Sequence, residues 1–138
     1  MGDVVESSSE QAERKPSVLV VEDEVMLRTV IADYLRDAGF SVVEAANAAE
    51  AKALLAAQIP VDIVFSDIQM GNGPDGLALA DWIDAHCAGL PVLLTSGAFI
   101  PIGKGRERPF ISKPYIYIQL ERRLREMLAQ AVEQSPKS

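Results

Sequence analysis

The chain has 138 residues, of which 49% are apolar and 24% are charged, enough for one globular domain with a sizeable core. Its formal net charge is -7, and the densest run of basic residues is Arg122, Arg123 and Arg125, which argues against a surface that binds nucleic acid by neutralising phosphates. The single cysteine, Cys87, cannot form an internal disulfide and, beside the single histidine His86, lacks the spacing of a zinc site. No apolar run resembles a signal sequence or approaches the roughly 20 residues that span a bilayer, so we predict a cytoplasmic protein without membrane contact.

Composition divides the chain into three parts. Residues 1–16 are rich in Ser, Glu and Gln and end in Pro16, which is typical of a flexible tail that buries too little apolar surface to order itself. Residues 17–131 carry the periodic apolar segments and are predicted to form the domain. Residues 132–138 are predicted to be a short polar tail.

Short apolar segments alternate with segments of helical periodicity. Strands are predicted at residues 18–21, 40–44, 61–66, 91–94 and 110–112, because uninterrupted aliphatic runs are typical of strands buried on both faces of a parallel sheet. Helices are predicted at residues 24–38, 47–57 and 75–87 and from 116 to about 130. Gly39 is a natural C-cap, Asn47 and Glu50 form a capping box, and Asp75 is an N-cap.

This alternation predicts an α/β fold, a doubly wound, flavodoxin-like five-stranded parallel sheet with strand order 2-1-3-4-5. The stretch between Thr95 and Phe110 departs from the pattern, because Pro101, Gly103, Gly105 and Pro109 leave little room for a full helix. A shortened or missing fourth helix is therefore predicted.

Acidic residues follow the first and third predicted strands, where the winding direction of such a sheet switches and ligands bind. Glu22, Asp23 and Asp67 would repel one another there unless protons or a cation compensate them, and an all-oxygen acidic pocket suits Mg2+. Lys113 and Thr95, at the ends of the fifth and fourth strands, would add a cation and a hydroxyl to the same rim. Asp67 is the best nucleophile because it lies on the central strand before a Gly-rich loop, so the pattern points to an aspartyl phosphate.

The segments VLVVEDE, IVFSDIQM, DGLALA, LLTSG and PFISKP, in this order, resemble the response-regulator receiver family of two-component systems, here as a CheY-like single domain. The resemblance covers nearly the whole chain beyond the tail. It implies that Asp67 is the phosphoacceptor and that Asp23 binds Mg2+ directly. It also implies that Glu22 binds a metal water or acts as a second ligand, and that Gln69 offers its backbone carbonyl to the metal.

The same resemblance implies roles in switching. Thr95 would be the switch hydroxyl, Lys113 the lysine that pairs with the phosphoryl group, and Phe110 the switch aromatic. It further implies a cis peptide bond between Lys113 and Pro114, a geometry that only bonds before proline adopt at small cost. Phosphorylation would draw Thr95 inward and free space for the aromatic ring.

Two departures from the family pattern stand out. The span from Thr95 to Lys113 is several residues shorter than in most receivers, which affects the face on which dimers or outputs are usually built. The loop after Asp67 has one extra residue, with Gly71 where proline is common. We expect these differences to alter partner choice and dephosphorylation more than phosphate acceptance.

The predicted function is a phosphorylation switch that accepts its phosphoryl group from a histidine kinase or histidine phosphotransfer protein and, with no output domain attached, signals through another protein. A relay intermediate or a phosphate sink would use the same chemistry. A phosphohydrolase with Asp67 as nucleophile would need a general acid at position 69, where Gln69 stands, so we predict no enzyme. A flavin- or nucleotide-binding flavodoxin-like module is disfavoured because acids occupy the loop after the first strand.

Other residues with chemical potential have simpler interpretations. Cys87 shares the apolar face of Ile83 and is interpreted as a small core residue. His86 is interpreted as a surface residue, and Trp82 as partly packed rather than as an interaction anchor. The three arginines near the end of the chain are interpreted as a solvated helix face.

Overall fold

The structure, a computed structural model, describes residues 14–71, 75–97 and 108–134. Its strands are β1 (Ser17–Val21), β2 (Ser41–Ala45), β3 (Ile63–Asp67), β4 (Val92–Ser96) and β5 (Phe110–Ser112). Its described helices are α1 (Val25–Asp37), α2 (Ala48–Ala56), α3 (Gly76–His86) and α4 (Tyr117–Gln134). All strands pair in parallel in the order β2-β1-β3-β4-β5, which confirms the predicted flavodoxin-like sheet.

Each strand lies where the apolar runs predicted it, with ends displaced by one or two residues. β3 begins at Ile63 rather than at 61 and continues to Asp67, and β4 continues through Thr95 to Ser96. The strands therefore include polar residues that the hydrophobic pattern leaves out. Asp67 and Thr95 lie opposite each other as register partners in β3 and β4.

The sheet separates two apolar cores because successive residues of a strand point to opposite faces. On β1, Val18 and Val20 face the core beneath α1 and α4, whereas Leu19 and Val21 face the core beneath α2 and α3. Burial on both faces explains why β1 has no alternating polar residues.

Local sequence determines where the helices begin and end. Gly39 has φ +106 after α1, a left-handed conformation that favours glycine. The Asn47 side chain accepts a hydrogen bond from the Glu50 N–H at 2.8 Å, as predicted, and the Glu50 carboxylate accepts one from the Ala46 N–H at 2.7 Å, so α2 begins with a capping-box-like arrangement shifted by one residue. Asp75 caps α3 through the Ala78 N–H at 2.9 Å.

The last helix differs from the prediction. α4 extends to Gln134, beyond the expected end near residue 130, so the first residues of the predicted polar tail from 132 are helical. The sequence AQAVEQ has no glycine or proline that would stop a helix before that point.

Two features predicted from the sequence lie largely outside the described residues. The tail over residues 1–13 and the shortened or missing fourth helix, over residues 98–107, lie outside the described residues. Arg108, which follows the second of these stretches, bonds to Asp81 at 2.5 Å and to Asp84 at 2.9 Å and so joins the start of β5 to α3.

None of the described helices combines the length and apolarity required for a transmembrane span.

Candidate functional site

Buried polar side chains gather at the carboxyl edge of the sheet. Glu22 is 4% exposed, Asp67 8% and Thr95 1%, and these residues end or directly follow the neighbouring strands β1, β3 and β4. Charged and hydroxyl groups are seldom buried this deeply without a compensating partner. The structure thus brings together three of the residues predicted from the strand ends.

Lys113 completes the predicted cluster from the end of β5. Its Nζ donates a hydrogen bond to Asp67 Oδ2 at 2.9 Å, and the Gln69 N–H donates to Asp67 Oδ1 at 3.2 Å. Burial disfavours the Lys113 ammonium, but the bond to Asp67 and the charges of Asp67 and Glu22 outweigh burial and raise its pKa. Both oxygens of the Asp67 carboxylate are therefore oriented by donors, and one of these donors is a cation.

Glu22 lies in the environment that the sequence predicted for crowded acids. Burial raises its pKa to about 7, and the negative charge of Asp67 adds to the effect, while a hydrogen bond from the Glu24 N–H at 3.1 Å opposes it. The ionised form of Glu22 is thus costly beside Asp67, and a cation at this edge of the sheet would offset the cost.

Asp23 lies at the mouth of the cluster and is exposed. Its Oδ2 is 3.6 Å from the point that a Cβ on Gly71 would occupy, so the acidic loop after β1 and the loop after β3 approach closely. Gly71 has φ +58, which explains the glycine at this position.

These residues fit Mg2+ in the way that the ion usually binds. No group of three or more His, Cys, Asp or Glu side chains closes around a metal in residues 14–71, 75–97 and 108–134. Mg2+ commonly takes one or two carboxylates, waters and phosphate oxygens rather than a full protein cage. The buried acid Glu22, the exposed acid Asp23 and Asp67 offer such an open oxygen set. The described backbone contact of Gln69 in this cluster is made by its N–H, which donates to Asp67.

Thr95 is distinguished by its hydroxyl. Its Oγ1 is buried and has no hydrogen-bond partner among the described residues, although buried hydroxyls are normally paired. The unpaired oxygen belongs to the register partner of Asp67. The Thr95 hydroxyl therefore remains available as a hydrogen-bonding group on the strand beside Asp67.

Phe110 lies away from the acids. It begins β5 opposite Leu94 and is half-buried against the core beneath α2 and α3. The neighbouring position Ile111 pairs with Thr95, so the β4–β5 ladder links Phe110 to the site. The peptide between Lys113 and Pro114 is cis, as the resemblance implied.

Sequence reasoning did not assign a role to Gly76, the first residue of α3. A Cβ at this position would lie 2.3 Å from the Asp67 carbonyl oxygen and 2.9 Å from the Ile68 Cα, closer than real Cβ atoms approach backbone. The Gly76 N–H also donates to the Ile68 carbonyl at 2.8 Å. The available signal was the glycine that directly follows an N-cap aspartate in DGLALA.

Tyr115 was also missed. Burial raises its pKa, and Tyr117 and the charges of Glu22 and Asp67 raise it further. Its ring meets Phe65 edge-on at 6.0 Å between centroids. We interpret Tyr115 as a residue that packs against the core beneath α1 and α4, adjacent in sequence to the Lys113-Pro114 peptide.

The simpler interpretations hold for most of the remaining residues. Cys87 is partly buried against the core, and His86 is exposed and stacks on Trp82 at 4.4 Å. Arg125 is exposed, as the prediction of a solvated face requires, but it also donates to the Ala38 carbonyl at the end of α1 and lies over the Phe40 ring at 4.4 Å. Cation–π contact and helix capping give this arginine a structural role.

Comparison with known proteins agrees with this geometry. The family model for the response regulator receiver domain matches residues 18–100, and the chain belongs to this family. Receiver domains of two-component systems are phosphoacceptor signalling domains that accept phosphoryl groups from histidine kinases and generally use Mg2+ at the phosphorylation site. As a class they are generally not catalytic enzymes.

Relatives with longer chains share this region. The putative response regulator NtrX-like protein of Rickettsia bellii is 40% identical over 81 residues, which are 58% of this chain and 17% of that protein. The C4-dicarboxylate transport transcriptional regulatory protein DctD of Rhizobium meliloti is 40% identical over 105 residues, 72% of this chain and 22% of that protein. The chain thus spans about a fifth of the length of these curated relatives.

Solved structures show the same architecture. A response regulator receiver protein from Sinorhizobium medicae superposes with a TM-score of 0.79 at 25% identity, covering 86% of this chain and 98% of that one. The receiver domain from the hybrid histidine kinase CckA superposes with a TM-score of 0.69 at 31% identity, covering 81% and 98%.

Proposed function

We propose that this chain is a phosphorylation-dependent signalling switch in which Asp67 accepts a phosphoryl group from a histidine kinase or a histidine phosphotransfer protein. The observation that carries the proposal is the buried Asp67 carboxylate bonded to Lys113 at 2.9 Å. A nucleophile held beside a fixed cation suits a reaction in which negative charge develops on transferring phosphoryl oxygens.

In the proposed reaction one carboxylate oxygen of Asp67 forms a bond to phosphorus while the bond from phosphorus to the donor's histidine nitrogen breaks. The nitrogen keeps the electron pair of the broken bond. Lys113 pairs with the charge of the phosphoryl oxygens, and Glu22 and Asp23 would hold Mg2+, as would the backbone carbonyl of Gln69. When bound, Mg2+ neutralises charge between the two reacting groups.

The signalling half of the proposal rests on Thr95 and Phe110. The unpaired Thr95 hydroxyl would bond to the new phosphoryl oxygens, and its displacement would pass along the β4–β5 ladder to Phe110. A local change of charge then becomes a changed surface that another protein can recognise.

The proposal is tested by intact mass after incubation with acetyl phosphate and Mg2+. The bond between phosphorus and the acetyl oxygen breaks, acetate leaves, and the chain should gain the mass of one phosphoryl group. The gain should be absent in Asp67→Asn and in EDTA, and hydroxylamine should remove it because an acyl phosphate is the product. Asp33→Asn removes the same charge from an exposed position on α1 and should leave the gain intact.

The possible outcomes test phosphate acceptance and switching separately. A phosphoryl group that remains on Asp67→Asn, or that resists hydroxylamine, would refute acceptance at Asp67. On the same phosphorylated sample, NMR signals of Thr95 and Phe110 should move together. Unchanged Phe110 signals would refute the switch while leaving phosphate acceptance standing.

A second candidate is a relay in which Asp67 passes the phosphoryl group on to a histidine. The 31% identity to the receiver of a hybrid histidine kinase favours it, because that protein's name joins a receiver to a kinase. Incubating the phosphorylated chain with a purified histidine phosphotransfer protein separates the two. A relay loses its phosphoryl group to the partner, whereas a terminal switch keeps it.

A further inference from the structure

Arg28, near the start of α1, joins this helix to the backbone of the acidic loop. Its Nη1 donates to the Glu22 carbonyl oxygen at 2.7 Å, and its Nε donates to Glu44 Oε1 at 3.2 Å. Only 16% of the side chain is exposed. The guanidinium is therefore fixed at two points, one of which is the peptide that precedes Asp23.

The Glu22 residue is held through both of its backbone groups. Its N–H donates to the Ala45 carbonyl at 3.0 Å, just beyond the last register pair of β1 and β2, and its carbonyl accepts from Arg28. Because a peptide unit is planar, the direction of this carbonyl fixes the orientation in which the chain enters Asp23. The strand ladder supplies the first bond, and Arg28 supplies the second.

We propose that Arg28 is a positioning residue for the Mg2+-dependent site, because it holds the Glu22–Asp23 peptide in the orientation that directs the Asp23 carboxylate toward Gly71 and the loop after Asp67. This inference rests on the proposed function. The described bonds of the Arg28 guanidinium go to a backbone carbonyl and to Glu44, so Arg28 acts through the loop and not on reacting atoms. Groups that orient metal ligands from behind commonly change metal affinity by about 10–100-fold when they are removed.

The two possible roles of Arg28, as a charge and as a positioning group, predict opposite changes in Mg2+ affinity when the side chain is removed. If its charge alone mattered, removing a cation beside an acidic cluster would make the site more negative and strengthen Mg2+ binding. If Arg28 positions the peptide before Asp23, its removal loosens the ligand and weakens Mg2+ binding. The direction of the change therefore discriminates between the two roles.

Arg36 provides a matched control on the same helix. Its Nη2 donates to Glu44 Oε2 at 3.2 Å and to the Val42 carbonyl at 3.2 Å. Arg36→Ala thus removes the same charge and a bond to the same carboxylate. The Arg28 bond to the Glu22 carbonyl is left intact.

The experiment is a calorimetric Mg2+ titration of the full chain as wild type, Arg28→Ala, Arg28→Lys and Arg36→Ala, with circular dichroism to verify folding. The Mg2+ Kd should rise at least about 10-fold in Arg28→Ala and stay near the wild-type value in Arg36→Ala. The Kd of Arg28→Lys should lie between these values, since a lysine ammonium can bond to one of the two acceptors but cannot span both as the guanidinium does. At saturating Mg2+ the rate of labelling by acetyl phosphate should recover in Arg28→Ala.

Each result decides the inference. A Kd in Arg28→Ala equal to or below that of Arg36→Ala overturns it. If Arg28→Ala does not fold, Arg28→Lys decides, because a Kd above that of Arg36→Ala supports positioning and an equal Kd overturns it. Wild-type protein that binds no Mg2+ refutes the proposed metal site together with the role of Arg28, whereas an unchanged variant beside a binding wild type refutes Arg28 alone.

Discussion

The two ends of β3 carry the same residue type in opposite circumstances. Asp62 precedes the strand, accepts the Ser17 N–H at 2.8 Å, and lies 3.9 Å from Arg14 with more than a third of its side chain exposed. Asp67 ends the strand, is buried, and bonds to Lys113 beside Glu22. At the amino end the aspartate joins neighbouring chain segments, whereas at the carboxyl end it is held among charges that folding alone does not require.

The contrast extends along both edges of the sheet. Among the described residues, the buried polar side chains at the carboxyl edge are Glu22, Ser66, Asp67, Thr95 and Ser96, and at the amino edge there is Ser17. Burying such groups lowers stability unless they are paired. The buried polar side chains thus collect at the edge of the sheet where the candidate site lies, as is expected when a local rule of core composition is broken at a functional site.

The largest effect is expected at Gly76, which packs against the carboxyl end of β3. Gly76→Ala should force the Asp67 backbone to move, because its Cβ would lie 2.3 Å from the Asp67 carbonyl. We expect a loss of about 1–3 kcal/mol in the free energy of unfolding and slower labelling by acetyl phosphate. Urea unfolding and intact mass measure the two effects.

Gly97→Ala is the control for that substitution. Its Cβ would meet Lys113 carbon atoms at 3.8 Å, an ordinary contact, so stability should change little. Equal stability and labelling rates in the two variants would contradict the close fit of α3 against Asp67.

The charged pair Glu22 and Asp67 provides the next test. Burial raises the pKa of Glu22 to about 7 from 4.5, so between these pH values the folded chain holds a proton that the unfolded chain has lost. This contribution to stability is complete below pH 4.5 and is lost as pH rises through about 7. In EDTA, Glu22→Gln should therefore flatten the fall in urea midpoint across this window.

The exposed Glu126→Gln on α4 supplies a charge-matched comparison and should follow the wild-type curve. Added Mg2+ should reduce the wild-type fall, because a cation offsets the same repulsion. A pH dependence that is identical in Glu22→Gln and wild type would show that its surroundings do not raise the pKa of Glu22.

The smallest effect is expected at the amino end of β3. Asp62→Ala removes the acceptor of the Ser17 N–H and should lower the free energy of unfolding by about 1 kcal/mol. Labelling of Asp67 by acetyl phosphate should proceed at the wild-type rate. A labelling defect in Asp62→Ala would mean that the two ends of the strand are coupled.

The fold was largely predictable because its signals are local. An aliphatic run such as Val18–Val21 is typical of a strand that is covered on both faces, and caps such as Asn47 and Asp75 mark helix starts within three residues of sequence. Strand ends were less predictable, since Asp67 and Thr95 continue strands in which hydrophobicity has already stopped. The end of α4 was also predicted too early, because a helix that ends without a glycine or proline carries no clear stop signal in its sequence.

The candidate site was predictable as a set of strand ends, and the structure places Glu22, Asp67, Thr95 and Lys113 together. The roles of these residues stay predictions. The supporting residues were not predictable, because Gly76 and Arg28 act through contacts with distant backbone. Arg125 shows the same limit, since its pairing with Ala38 and Phe40 joins residues far apart in sequence.

The origin of the cluster in separate strands has a consequence for the life of the chain. Asp67 and Lys113 are 46 residues apart in sequence and meet only after β3, β4 and β5 have paired in register. A nascent chain that has not yet supplied β5 holds the Asp67 carboxylate without its Lys113 partner. Under the proposed function, the ability to take up a phosphoryl group would therefore arise only after the whole sheet has formed.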